Sequence, residues 1–183
     1  MSRTVKAKTV VDNIRELSSP AATKVAPSDV APPKSQFVTV QFQAGDTGLL
    51  NMSLPHTRVW YEVIASMRQS NKPVYVEIDP QTNVITELLI PLRVKVGNMV
   101  PSKENRNDME VELIISHAVH HLRHANPLFQ KLAKQLKSAK QKGSEVLVTE
   151  RPDNHEIIDV RISSDSLDSK KTSNKSAEPS ENS

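Results

Sequence analysis

The chain has 183 residues, of which 37% are hydrophobic and 3% aromatic, with a formal net charge of +3 and no cysteine. The missing cysteine rules out disulfides, thiol nucleophiles and cysteine-based zinc sites, and no stretch approaches the roughly 20 apolar residues of a membrane span. The first residues hold no apolar run of the signal-peptide kind, so a cytoplasmic protein that does not enter membranes is expected.

Positive charge is unevenly spread. Residues 1–34 hold six Lys/Arg against three Asp/Glu, 35–100 five against five, 101–162 ten against nine, and 163–183 three against four. A basic isoelectric point is therefore weak evidence for nucleic-acid binding by the middle of the chain. Residues 1–34 include Ser19-Pro20-Ala21-Ala22 and Ala31-Pro32-Pro33-Lys34, and 163–183 are rich in Ser, Asp, Lys, Asn and Glu. Neither segment offers enough apolar surface to offset chain entropy, so both read as disordered tails.

Between the tails, 37–42 are rich in β-formers and read as a strand, followed by a turn over 44–48. Leu50, Met52 and Leu54 then alternate with polar residues as a second strand. From Pro55 the period becomes helical, with Val59, Trp60, Val63, Ile64 and Met67 on one stripe and Thr57 as the expected N-cap. Ser70-Asn71-Lys72-Pro73 ends that helix. Residues 74–78 and 84–90 form a hairpin around Asp79-Pro80, and 92–96 read as one more strand of the same half. After a polar loop over 101–107, Val111, Leu113 and Ile115 alternate as a strand, and 117–123 form its neighbour. Asn126-Pro127 reads as cap and first helical position, Leu128, Leu132, Leu136 and Ala139 as the apolar stripe, and Gly143 as the stop. A second hairpin over 145–149 and 156–162 closes the series.

Residues 59–88 and 131–160 align without a gap, 72 positions apart, through Ser66/Ser138, Gln69/Gln141, Val74/Val146, Val76/Val148, Pro80/Pro152 and Ile85/Ile157. The expected architecture is α+β: two tandem strand–strand–helix–strand–strand repeats, 35–100 and 101–162, in mainly antiparallel sheet with two helices, flanked by tails at 1–34 and 163–183. Val38, Val40 and Phe42 match Val111, Leu113 and Ile115 if one residue is inserted.

Three residue groups bear on chemistry. His117, His120, His121 and His124 lie within eight positions. On a helix three of them would share a face and suit Zn²⁺ or Ni²⁺; on the strand that the repeat implies, His120 and His124 would share a face around Leu122. Imidazoles also titrate near neutrality, so the same group suits a pH-responsive surface. Lys131, Lys134, Lys137, Lys140 and Lys142 sit in one helix without an acidic residue and suit phosphate contacts. Phe129 is the only aromatic residue after Tyr75, which argues against base-stacking recognition. Trp60 and Tyr61 fit a core or an interface anchor. Glu77 and Glu87 belong to one hairpin but lack the aromatic company of a sugar site. No glycine-rich phosphate loop or nucleophile elbow is present. These residues point to a non-enzymatic interaction or assembly module with no cofactor, binding a protein partner or a second copy of itself. The alternatives are nucleic-acid association through the lysine helix and N-terminal tail, or metal or pH response through the histidines.

Overall fold

The computed structural model describes residues 6–20 and 36–162, and the chain divides into two units, Met1–Pro91 and Leu92–Ser183. The first contains β1 (Lys8–Asp12), β2 (Ile14–Leu17), β3 (Phe37–Phe42), β4 (Thr47–Asn51), α1 (Pro55–Gln69), β5 (Val74–Ile78) and β6 (Ile85–Leu89). The second contains β7 (Leu92–Pro101), β8 (Met109–Leu113), β9 (Val119–Leu122), α2 (Phe129–Lys142), β10 (Glu145–Glu150) and β11 (Ile157–Ile162). The ladders are antiparallel, so the class is α+β with antiparallel sheet and two helices.

In the first unit one three-stranded sheet runs β1-β5-β6 and the other β2-β3-β4. Asn13 alone separates β1 from β2, so this short stretch links the sheets. A parallel bridge from Leu49 to Val84 brings β4 against the start of β6, and the strands curl towards closure. In the second unit a single five-stranded sheet runs β11-β10-β7-β8-β9. The ten-residue β7 bends at an irregularity between Val96 and Met99, pairing with β10 before it and mainly with β8 beyond it. The bridge from His121 to Glu156 draws β9 to β11.

Each unit has its own core. Val38, Val40, Phe42, Leu50, Ile64, Val76 and Ile78 are among the buried residues of the first. Val94, Val111, Leu113, Leu122, Leu132, Leu136, Val146 and Ile157 are among those of the second. Alternation places these side chains on one face of each strand, and the helical period does the same for α2.

Fine detail recurs between the units at the 72-residue offset. The bridges Leu49–Val84 and His121–Glu156 correspond, as do the register shifts at Glu77/Ile78 and Thr149/Glu150. So do the positive φ angles of Asn71 and Gly143, and of Asn83 and His155. Leu49 N–H donates to the Asn83 carbonyl and His121 N–H to the His155 carbonyl, at 2.8 and 3.0 Å.

Several sequence expectations need correction. Residues 8–17 are strands, not part of a disordered 1–34 tail: Val10 and Ile14 are buried, and β5 and β3 satisfy the backbone. Proline- and alanine-rich neighbours diluted that short apolar run; 1–5, 21–34 and 163–183 lie outside the described residues. The strand from Leu92 opens the second unit instead of ending the first, because its partners are β10 and β8. The boundary is thus at Pro91, not residue 100, and each unit has strands ahead of the four expected. Val40 faces Gly48 as Val111 faces His120, so Val111 occupies the place of Val40, not Val38. Ile115 is 68% exposed beyond the end of β8. Thr57 is not the N-cap; Leu54 is, with Pro55 entering the helix, and the buried Thr57 hydroxyl faces the Leu54 and Asn51 carbonyls at 2.7 and 2.6 Å. The second helix starts at Phe129 with Leu128 as cap, while Asn126 Oδ1 accepts from Leu128 N–H at 2.8 Å in the preceding turn.

Candidate functional site

All five lysines of α2 are exposed. The helix buries Leu132, Ala133, Leu136 and Ala139 and so turns Lys131, Lys134 and Lys137 to solvent. Lys140 Nζ donates to Asn98 Oδ1 at 3.0 Å. Among the described residues none of the five forms an ion pair with a carboxylate. No acid sits in the first turn, and Lys140 and Lys142 lie in the last, where the helix dipole favours cations.

The four clustered histidines do not converge. His117 lies in the β8–β9 connection, on a cleft of about 350 Å³ that Val100 and Val119 also line. His121 stands opposite Glu110 in the ladder. That carboxyl is held below the usual range by the Lys103 backbone N–H, with help from the Ser102 side chain and the His121 charge. His124 falls after the end of β9, exposed and with its ring 5.0 Å from Phe129, so the strand-face pairing of His120 with His124 does not occur.

His120 alone points inward and is fully buried. Its Nδ1–H donates to Glu150 Oε2, and the other oxygen of that carboxylate accepts from His155 Nδ1 at 3.3 Å. The two imidazole rings meet edge-on, centroids 5.4 Å apart. One ligand-capable atom from each of His120, Glu150 and His155 lies within 4.8 Å of the others. β9 supplies the first residue, the shifted end of β10 the second, and the left-handed turn into β11 the third. His120 Nε2 is buried without a hydrogen-bond partner.

Sequence reasoning found His120 but missed Glu150 and His155. The signal was present: at the offset of 72, Glu150 and His155 fall on Ile78 and Asn83, so a charge takes the place of a buried isoleucine. Asp108 was also missed. It is buried, accepts from the His124 backbone N–H at 2.7 Å and pairs with Arg123 at 3.3 Å. The His124 N–H bond holds its carboxyl below the ordinary range; burial opposes this and Arg123 reinforces it.

Trp60 and Tyr61 are half-buried against the first unit's core, with the Trp60 ring edge-on to His56 at 4.8 Å. Glu77 and Glu87 stand opposite each other in the β5–β6 ladder, and the Tyr75 hydroxyl donates to Glu77 at 2.9 Å. No described helix is long and apolar enough to cross a membrane. No protein-family profile matches the chain, and comparisons with curated proteins and with solved structures also found no match.

Proposed function

We propose that the chain is a non-enzymatic interaction module, a duplicated unit whose second copy uses α2 to bind the phosphate backbone of a nucleic acid. The observation that carries this reading is a 14-residue helix with five exposed lysines and no acidic residue. Lysine contributes a point charge without base readout, so binding would be insensitive to sequence. Each phosphate neutralised on duplex DNA steepens the salt dependence, by about 0.9 in the slope of log K against log salt. Titrating a mixed-sequence duplex at several salt concentrations should give a slope of about −2.7 to −3.6 if three or four phosphates are engaged. Replacing Lys131, Lys134 or Lys137 with Gln should each flatten it by about 1. A flat slope, or slopes unchanged by the three substitutions, rejects nucleic-acid binding by α2.

Exposed apolar residues beside the β8–β9 cleft favour a second reading, binding to a protein partner or to another copy. Ile114 and Ile115 are 62% and 68% exposed, and Val100 and Val119 line the cleft. Apolar surface of this kind marks association sites. Salt-insensitive self-association in sedimentation, weakened by Ile115→Ser, would favour it over the first. The cysteine-free composition fits a cytoplasmic setting for either reading.

A further inference from the structure

The geometry points to a divalent transition-metal site formed by His120, Glu150 and His155, with Zn²⁺ as the cation whose chemistry it fits. Two imidazoles and one carboxylate form a donor set that open zinc centres use, leaving the fourth position to water or a ligand. Imidazole and carboxylate together suit a borderline first-row ion.

Three observations support this beyond proximity. First, the backbone gathers the trio: His121 N–H donates to the His155 carbonyl at 3.0 Å, and the His121–Glu156 bridge fixes β9 against the β10–β11 turn. The two Nδ1 atoms face the two oxygens of one carboxylate, so a cation entering between them meets three donors on three chain segments.

Second, the first unit performs the same structural task without ionisable groups. The counterparts of His120, Glu150 and His155 are Gly48, Ile78 and Asn83, by the shared bridges and positive-φ positions. There Ile85 packs over Gly48, at 2.7 Å from where a Cβ would lie, and Ile78 comes within 3.4 Å. The fold closes with aliphatic side chains in one unit, so the ionisable trio in the other is not a requirement of the architecture.

Third, the trio is incompletely satisfied as a purely structural network. His120 Nε2, across the ring from the nitrogen that faces Glu150, lies buried with no partner, so the network leaves one nitrogen of a buried imidazole unsatisfied. Access is one-sided: the side chains of His120, Glu150 and His155 are 1%, 15% and 45% exposed, so a cation reaches the carboxylate from the His155 side. On binding, a ring that ligates through Nδ1 carries its proton on Nε2, so each imidazole stays neutral and the carboxylate supplies the one negative charge.

The test uses the untagged full chain, stripped by chelator dialysis and titrated with Zn²⁺ by calorimetry in two buffers of different ionisation enthalpy, with Co²⁺ as the spectroscopic probe. The expected result is one ion per chain and tetrahedral-type Co²⁺ absorption displaced by Zn²⁺. Glu150→Gln is close in shape, and His155→Asn installs the residue found at the first unit's left-handed position; each should weaken Zn²⁺ by roughly 100-fold or more. A variant with Gln at 117, 121 and 124 should bind as tightly as the original. Absence of stoichiometric binding by the original chain overturns the site. So does a loss of affinity that follows the 117/121/124 substitutions while Glu150→Gln and His155→Asn bind normally.

Discussion

Gly48 and Asp108 show how much single positions decide here. A Cβ on Gly48 would fall 2.7 Å from Ile85 Cγ1 and 2.9 Å from its Cδ1, both in the packed interior. Gly48→Ala should therefore cost about 1–3 kcal/mol by overpacking, measured by urea unfolding. Asp108 holds the β7–β8 connection through the His124 N–H and Arg123. Asp108→Asn should lose about 1–3 kcal/mol at neutral pH, since the partners of a buried carboxylate are left poorly matched. Its pKa is lowered in the folded state, so its contribution is complete above the ordinary carboxylate range. It is lost as pH falls through the folded value. The stability gap between Asp108→Asn and the original should then narrow as pH falls below about 4, the ordinary aspartate value. Neither residue was legible from spacing. Gly48 looked like part of a turn, and Asp108 fell between the polar loop over 101–107 and the strand at Val111, because the groups that define them are distant in the chain. His120 was legible as a candidate, but its companions lie 30 and 35 positions away and were visible only through comparison of the two aligned segments.

At the scale of elements, α2 followed its sequence closely. Leu132, Leu136 and Ala139 recur at helical spacing and are buried, and Gly143 adopts φ 61° at the C-cap. Leu136→Ala should destabilise the second unit by about 2–5 kcal/mol. Gly143→Ala should cost about 1 kcal/mol, since an L-residue is strained in the left-handed region. Both follow from thermal or denaturant unfolding monitored by circular dichroism. The start of α2 was misplaced because Asn126 makes its side-chain bond one turn early, a choice that composition does not reveal. β7 illustrates a different limit. Leu92, Val94 and Val96 alternate clearly, but alternation cannot say whether a strand pairs with the preceding hairpin or with β10, more than 40 residues later. Local pattern specifies a strand's buried face; long-range pairing specifies the unit to which it belongs.

For the whole molecule, the two hydrophobic clusters are drawn from different units: Ile64 belongs to the first and Leu136 to the second. Ile64→Ala should open the first unit by about 2–5 kcal/mol. Residue-resolved hydrogen exchange should show the faster amides in β3 to β6 while those of β8 to β11 keep their protection. The general class of the fold was readable because period changes are local. The extra leading strands were not, since Val10 and Ile14 gain meaning only beside β5 and β3. Those leading strands have a consequence of their own. β1 and β2 join the two sheets of the first unit, although 19 residues separate the end of β2 from the start of β3. A peptide covering the first twenty residues, added in trans to a chain beginning at Gln36, should therefore snap back into the vacant lane and restore the missing fold, as the halves of a split reporter do. By the same logic two intact chains should be able to trade these arms across the 19 residues that precede β3.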